Sequence, residues 1–216
     1  MKRSIIVVAV IMGLFSFGSA AMADGFSVYV DYGLLAIDQP IYGGVENFSY
    51  LTLGGEWSFN SFLLGGLYST SLSVTPAPPD PLTSYALAVY GGYNFVNIDT
   101  FDLAVIGGYL AFNTNYDNGV EDATTSGFAL GVNASLNLDP FVISARYLTA
   151  IGASSEVNGG DSGASDLWYF DVKGAYMFND AFSMYLGYRW IGLRNPLFWG
   201  GEWNFQGFSI GLEYRF

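Results

Sequence analysis

Apolar and polar residues alternate with a period of two through most of this chain. Over residues 207–216, Phe208, Ile210, Leu212, Tyr214 and Phe216 fall on one face, and Ser209, Gly211, Glu213 and Arg215 on the other. Strict alternation with both charges confined to one side marks a strand lying between two different solvents. The same pattern, bounded by turn-forming residues, predicts ten strands: Phe26 to Ile37, Asn47 to Phe59, Phe62 to Val74, Thr83 to Phe95, Phe101 to Tyr116, Ser126 to Leu138, Phe141 to Ile151, Asp166 to Phe178, Ala181 to Ile191 and Trp203 to Phe216. Each reaches the length of about 9 to 11 residues with which a tilted strand crosses a bilayer. Merging or losing one hairpin would leave eight.

Connections alternate between short and long. Asn60-Ser61, Val96 to Thr100, Asp139-Pro140 and Asn179-Asp180 form the short set. Asp38 to Glu46, Thr75 to Leu82, Asp117 to Thr125, Gly152 to Ser165 and Gly192 to Glu202 form the long one. That asymmetry, with an even strand number, is expected of an all-β, closed, antiparallel, up-and-down transmembrane barrel with short turns and both termini on the periplasmic side.

The two faces of the strands differ as such a barrel requires. One face includes Val28, Val30, Leu53, Leu64, Val89, Val105, Leu130, Val132, Ile143, Leu186 and Ile210 and holds no charge, so it can meet lipid. Aromatic residues gather toward both ends of it, as amphipathic rings do at membrane interfaces. A soluble barrel with an apolar cavity would invert the pattern. The opposite face carries Asp31, Glu56, Asp171 and Glu213 against Arg146, Lys173, Arg189 and Arg215. These eight lie on strands that become contiguous once the last pairs with the first. A balanced, crowded group in a low-dielectric interior reads as a mutually neutralising network, because an unpaired charge there is heavily penalised. A charged constriction that filters solutes is the functional alternative. Strands three to six contribute small or apolar lumen residues such as Gly65, Ala88, Ala104 and Ile106, which leave a narrow passage or make room for long Arg and Tyr side chains.

At the N-terminus, Lys2 and Arg3 precede an apolar run from Ile5 to Phe17 and then Ala21-Met22-Ala23. A positive start, a short apolar stretch and an A-x-A site predict a secretory signal peptide over residues 1–23, cleaved after Ala23, with one domain over residues 24–216. No segment offers the roughly 18 consecutive apolar residues of a transmembrane helix. A hydrophobic fraction of 51% with 12% charge is nevertheless high for a secreted soluble domain, a conflict that alternating strands in a closed barrel remove.

Cysteine and histidine are both absent. No disulfide framework is available, and the usual general base and commonest metal ligand are missing. The expectation is a protein with no catalytic residues, no metal site and no cofactor. Acidic residues number 19 against seven basic ones, two of which are Lys2 and Arg3 in the expected signal peptide. Ten acids fall in or beside the long connections: Asp38, Glu46, Asp80, Asp117, Glu121, Asp122, Glu156, Asp161, Asp166 and Glu202. Such a surface repels nucleic acid, and divalent cations can bridge it to lipopolysaccharide phosphates. Neither residues 117–122 nor 158–161 have the spacing of an ordered calcium loop. Pro76, Pro78, Pro79 and Pro81 stiffen the second long loop. Trp199 in the last loop and Trp203 where that loop meets the final strand read either as a partner-binding anchor or as part of the interfacial girdle.

The final strand, with its terminal Phe216 and an aromatic Tyr214 two residues earlier, resembles the C-terminal strand of Gram-negative outer-membrane β-barrel proteins. The resemblance implies that Tyr214 and Phe216 form the signal read by the barrel-assembly machinery. In size and pattern the chain is similar to the OmpA-, OmpX- and OmpW-type group. That similarity implies an outer-membrane monomer surrounded by lipid and lipopolysaccharide, acting as an envelope or surface-interaction protein. A narrow diffusion channel for small solutes is the alternative. Barrel enzymes are a poorer match, since omptin proteases use an Asp-His pair and barrel phospholipases and lipid A deacylases a Ser-His arrangement, neither of which this composition supplies.

Overall fold

The structure, a computed structural model, describes residues 25–38, 45–74, 82–116, 122–157, 161–194 and 202–216. The expected signal peptide lies outside them, as do Asp80, Asp117, Glu121, Trp199 and the four loop prolines. The described residues form ten strands: β1 (Phe26–Asp38), β2 (Val45–Phe59), β3 (Phe62–Val74), β4 (Leu82–Ile98), β5 (Phe101–Tyr116), β6 (Asp122–Leu138), β7 (Phe141–Val157), β8 (Asp161–Met177), β9 (Phe182–Arg194) and β10 (Glu202–Arg215). Each pairs antiparallel with its neighbours in sequence, and β10 pairs with β1 to close the barrel. Ten strands, rather than eight, is the correct number.

Closure is continuous from Ser27↔Arg215 to Asp38↔Asn204. At its end the Phe216 N–H donates to the Phe26 carbonyl at 2.9 Å, and the two rings lie 5.5 Å apart. The short connections form one end of the barrel, here termed the turn end. In one of them Asn60 takes a φ of 54°, the left-handed conformation that Asn tolerates better than most residues. In another the Asn179 side chain accepts hydrogen bonds from the N–H groups of Ala181 and Phe182.

The expected and observed strands differ most at the opposite, loop end. The stretch Gly152 to Ser165, read as a loop, is largely ladder: β7 continues to Val157 and β8 begins at Asp161. Gly152, at φ +64°, sits where the β7–β8 register shifts between Thr149 and Ala153. A local irregularity at one glycine therefore bends the hairpin without ending it. Beyond it the Ser155 hydroxyl bonds those of Thr125 and Ser165, tying β6, β7 and β8 together on the lumen side. Sequence reading took this Gly- and Ser-rich run for a turn because hydroxyls that pair across strands look the same, in one dimension, as hydroxyls that face solvent. Asp122, Glu156, Asp161 and Glu202 stand at or beside strand ends, and Asp166 lies within β8 opposite Arg194.

The faces divide as the alternation requires. Leu64, Val89, Val105, Leu130, Leu186 and Ile210 are exposed on the outside, Leu186 by 66%. Leu67, Ala86, Ala88, Ala104, Ile106, Leu110 and Ala129 are buried inside. Exposed apolar side chains on every strand of a closed ladder fit a protein whose outer solvent is hydrocarbon.

Candidate functional site

The lumen holds the chemistry, and its packing begins with cross-strand pairs of tyrosine and glycine. Tyr29 faces Gly54, Tyr50 faces Gly33, Tyr90 faces Gly65 and Tyr185 faces Gly211 as direct ladder partners. A Cβ at Gly65 would stand 2.5 Å from the Tyr90 hydroxyl oxygen, and one at Gly54 would strike the Tyr29 ring. The missing side chains let each ring lie against the wall instead of standing off it, which leaves the middle of the barrel to charged groups.

Arg189 on β9 is the hub of the larger group, with no solvent exposure. Its Nε donates to the Tyr169 hydroxyl at 3.0 Å and its Nη1 to Thr52 Oγ1 at 2.5 Å. Its Nη2 reaches Asp31 Oδ2 at 3.2 Å and Asp171 Oδ1 at 3.4 Å. Asp31 also accepts from the Tyr185 hydroxyl at 2.9 Å. Lys173 lies 3.6 Å from Asp171 and sits over the Tyr29 ring, 3.6 Å from its centre. One guanidinium is thus shared by two carboxylates and two hydroxyls, a degree of pairing that offsets the desolvation of a buried cation.

The second group crosses the lumen. Glu56 on β2 accepts from Arg146 on β7 at 2.5 Å and from the Tyr90 hydroxyl on β4 at 3.0 Å, while the Arg146 guanidinium covers the Tyr90 ring at 4.4 Å. In a ring of ten strands β2 and β7 are five apart in either direction, so this ion pair spans the diameter.

Toward the loop end a second bar follows, made of aromatic rings. Phe112 on β5 meets Phe205 on β10 with ring centres 4.7 Å apart, again across the full diameter. Phe48 and Trp203 pack against Phe205 at 6.0 and 6.2 Å, with Leu35, Leu167, Ile191 and Leu193 buried around them. An aromatic cluster sealed by aliphatic side chains excludes water as a soluble core does.

The eight lumen charges identified by alternation therefore separate into three sets. Asp31, Asp171, Lys173 and Arg189 form one, and Glu56 with Arg146 another. Glu213 and Arg215 form a third, bonded to each other at 2.9 Å at the turn end and apart from the rest. Tyr29, Tyr50, Tyr169 and Tyr185 belong to the same layer and were missed, although each shares the strand parity of a recognised charge. The apolar layer was missed as well. Trp203, the first residue of the expected last strand but read as a partner anchor or girdle residue, is a buried residue of β10, because parity turns it inward with Phe205. Asp102 is a further lumen acid, accepting from Ser135 at 3.2 Å. Tyr214 and Phe216 stand exposed on the outer face, their rings 4.8 Å apart. No cluster of His, Cys, Asp and Glu suited to a metal ion occurs among the described residues.

No family model matches the sequence, and no curated protein does. Solved structures match it in shape. The outer membrane protease OmpT from Escherichia coli is similar with a TM-score of 0.63 at 12% identity, over 89% of this chain and 97% of that one. Neisserial surface protein A is similar with a TM-score of 0.51 at 12% identity, over 88% and 97%. At these identities the likeness is one of backbone, and with the exposed apolar wall and ten closed strands it assigns the fold: this chain has the architecture of the small outer-membrane β-barrels.

Proposed function

We propose that the protein is a non-conducting outer-membrane barrel, a scaffold that holds an acidic surface at its loop end. The observation that carries this reading is the Glu56–Arg146 ion pair, which lays a charged bar across the lumen diameter. The Phe112–Phe205 contact lays an apolar one beyond it. A hydrated solute would have to displace a part-buried ion pair and then shed its water among aromatic rings, and each step is costly.

The turn end and both termini face the periplasm in this reading, and the loop end faces out. Acids at the outer strand ends, with Arg194 the nearest base, repel polyanions unless divalent cations bridge them to lipopolysaccharide. The protein acts as a monomer and as an envelope or surface-interaction protein. Tyr214 and Phe216 serve recognition by the barrel-assembly machinery. The protease activity of one structural neighbour does not carry over, since the sequence contains no histidine for the Asp-His pair that omptins use.

Purified protein reconstituted in planar bilayers tests the reading. No discrete conductance steps are expected at protein levels where a porin control gives many. Reproducible steps of uniform size would favour the narrow diffusion channel instead.

A further inference from the structure

Four of the five hairpins at the loop end stay paired up to the ends of their strands: Asp38↔Val45, Asn115↔Asp122, Val157↔Asp161 and Arg194↔Glu202. The fifth does not. Among the described residues the β3–β4 ladder stops at Thr70↔Tyr85, although β3 runs on to Val74 and β4 starts at Leu82. Beyond that rung each strand remains bonded on its other side, β3 to β2 through Phe48↔Val74 and β4 to β5 through Leu82↔Tyr116. A register shift in the β2–β3 ladder between Ser49 and Tyr50 places an extra residue, the exposed Leu72, on β3. Bulges of this kind bend a strand and terminate pairing. Here the extra residue lies just past the last β3–β4 rung, Thr70↔Tyr85.

One bond crosses the notch: the Ser84 N–H donates to Ser71 Oγ at 2.9 Å, a side chain standing in for the absent backbone partner. Behind it lies a cavity of about 10 Å³, room for roughly one water. Its walls join both sides of the barrel. Leu35, Phe48, Phe112 and Ile191 come from the lumen, while Thr70 and Tyr85 belong to the outer face. Its lining is aliphatic, aromatic and hydroxyl-bearing, and contains no charged side chain.

We infer that the β3–β4 seam is a lateral entry through which a hydrocarbon chain dissolved in the surrounding bilayer reaches the apolar layer of the lumen. The lining suits methylene groups and offers no charged partner for an ion, and Thr70 and Tyr85 open it toward the outer face of the barrel. A chain enters when the Ser71–Ser84 bond parts, since the cavity as it stands admits only a water-sized group. The entry lies beside the aromatic bar and does not traverse the Glu56–Arg146 bar. It therefore stands independently of whether the barrel conducts ions.

The test is photolabelling of the full chain in lipid nanodiscs by a palmitic acid carrying a diazirine near its methyl end, with labelled peptides identified by mass spectrometry. In the wild type, labels are expected on lumen residues Phe48, Phe112 or Ile191 as well as on outer residues such as Leu130 and Ile210. In a Ser71→Cys/Ser84→Cys variant, oxidation to the cross-strand disulfide should lower lumen labelling at least fivefold, leave outer labelling unchanged, and be reversed by reduction. Ala86→Leu, which fills the cavity from β4, should lower lumen labelling without a disulfide and covers the case in which the double-cysteine chain does not assemble. Labels confined to the outer face of the wild type, or lumen labels insensitive to both the disulfide and Ala86→Leu, would overturn the inference.

Discussion

Glu56 and Arg146 stand on opposite staves of the barrel, and their side chains meet at 2.5 Å across its diameter. Nothing in their sequence neighbourhoods links them, since 90 residues separate the two. They meet because ten strands enclose a lumen narrow enough for one long cation to reach one carboxylate from the far wall. The tyrosine rings folded onto glycines keep that line of approach clear. The lumen is thus filled by pairing between distant strands.

Arg189→Ala should be the most damaging single change in the charge layer. It removes one cation from two buried carboxylates, Asp31 and Asp171, and leaves the hydroxyls of Thr52 and Tyr169 without their donor. Breaking a buried ion pair typically costs about 3 to 5 kcal/mol. Urea unfolding of the protein in lipid vesicles should show a loss of that order. Arg189→Lys should rescue little, because a point charge cannot reproduce the planar fork.

Gly65→Val should disturb the crossbar although neither Glu56 nor Arg146 is altered. A Cβ there would stand 2.5 Å from the Tyr90 hydroxyl oxygen, so the ring must leave the wall and release its bond to Glu56. The loss of unfolding stability should be partly relieved when Tyr90→Ala is added, giving a coupling of about 1 kcal/mol or more in a double-mutant cycle. Gly174→Ala provides the control, since nothing lies within 4 Å of its added carbon.

The division of faces predicts opposite tolerance of charge on one strand. Val132→Arg points into hydrocarbon and should impair insertion by roughly 2 to 4 kcal/mol if it lies at mid-membrane. Ser135→Lys points inward beside Asp102, which already accepts a bond from Ser135, and should assemble almost normally. Heat-modifiable migration in detergent measures both. The reverse order, with Ser135→Lys damaging and Val132→Arg tolerated, would mean that the two faces are exchanged, as a one-residue slip produces.

These predictions draw unequally on sequence and on structure. Alternation and turn residues located the strands, leaving eight as well as ten open, and assigned eight charges to the lumen while passing over Asp102, because the pleat has a period of two and a misplaced charge is expensive. They placed Asp31, Arg189 and Glu56 in one lumen without showing that Arg189 would join Asp31 and Asp171, or that Glu56 would reach across to Arg146. Partner choice depends on how far the strands are staggered around the ring, and stagger leaves no mark in any one strand. Phe112 and Phe205 shared the lumen parity, but their meeting depends on the same stagger. Trp203 was read as a partner anchor or girdle residue although it shares the parity of Phe205, because a tryptophan at the outer end of a strand suits either the interface or the lumen. The open β3–β4 seam follows from a bulge at Leu72, and one extra residue in an alternating strand is invisible until the neighbouring ladder is known.

The central claim is that two bars, one charged and one aromatic, close the lumen in series. Single-channel recording of the wild type, Arg146→Ala, Phe112→Ala and the double variant tests it most directly, with heat-modifiable migration confirming that each has folded. The wild type should be silent. Each single variant keeps one bar and should stay nearly silent, while the double variant should show discrete conductance steps. Steps of similar size in the wild type and the double variant, or silence in a folded double variant, would contradict the account.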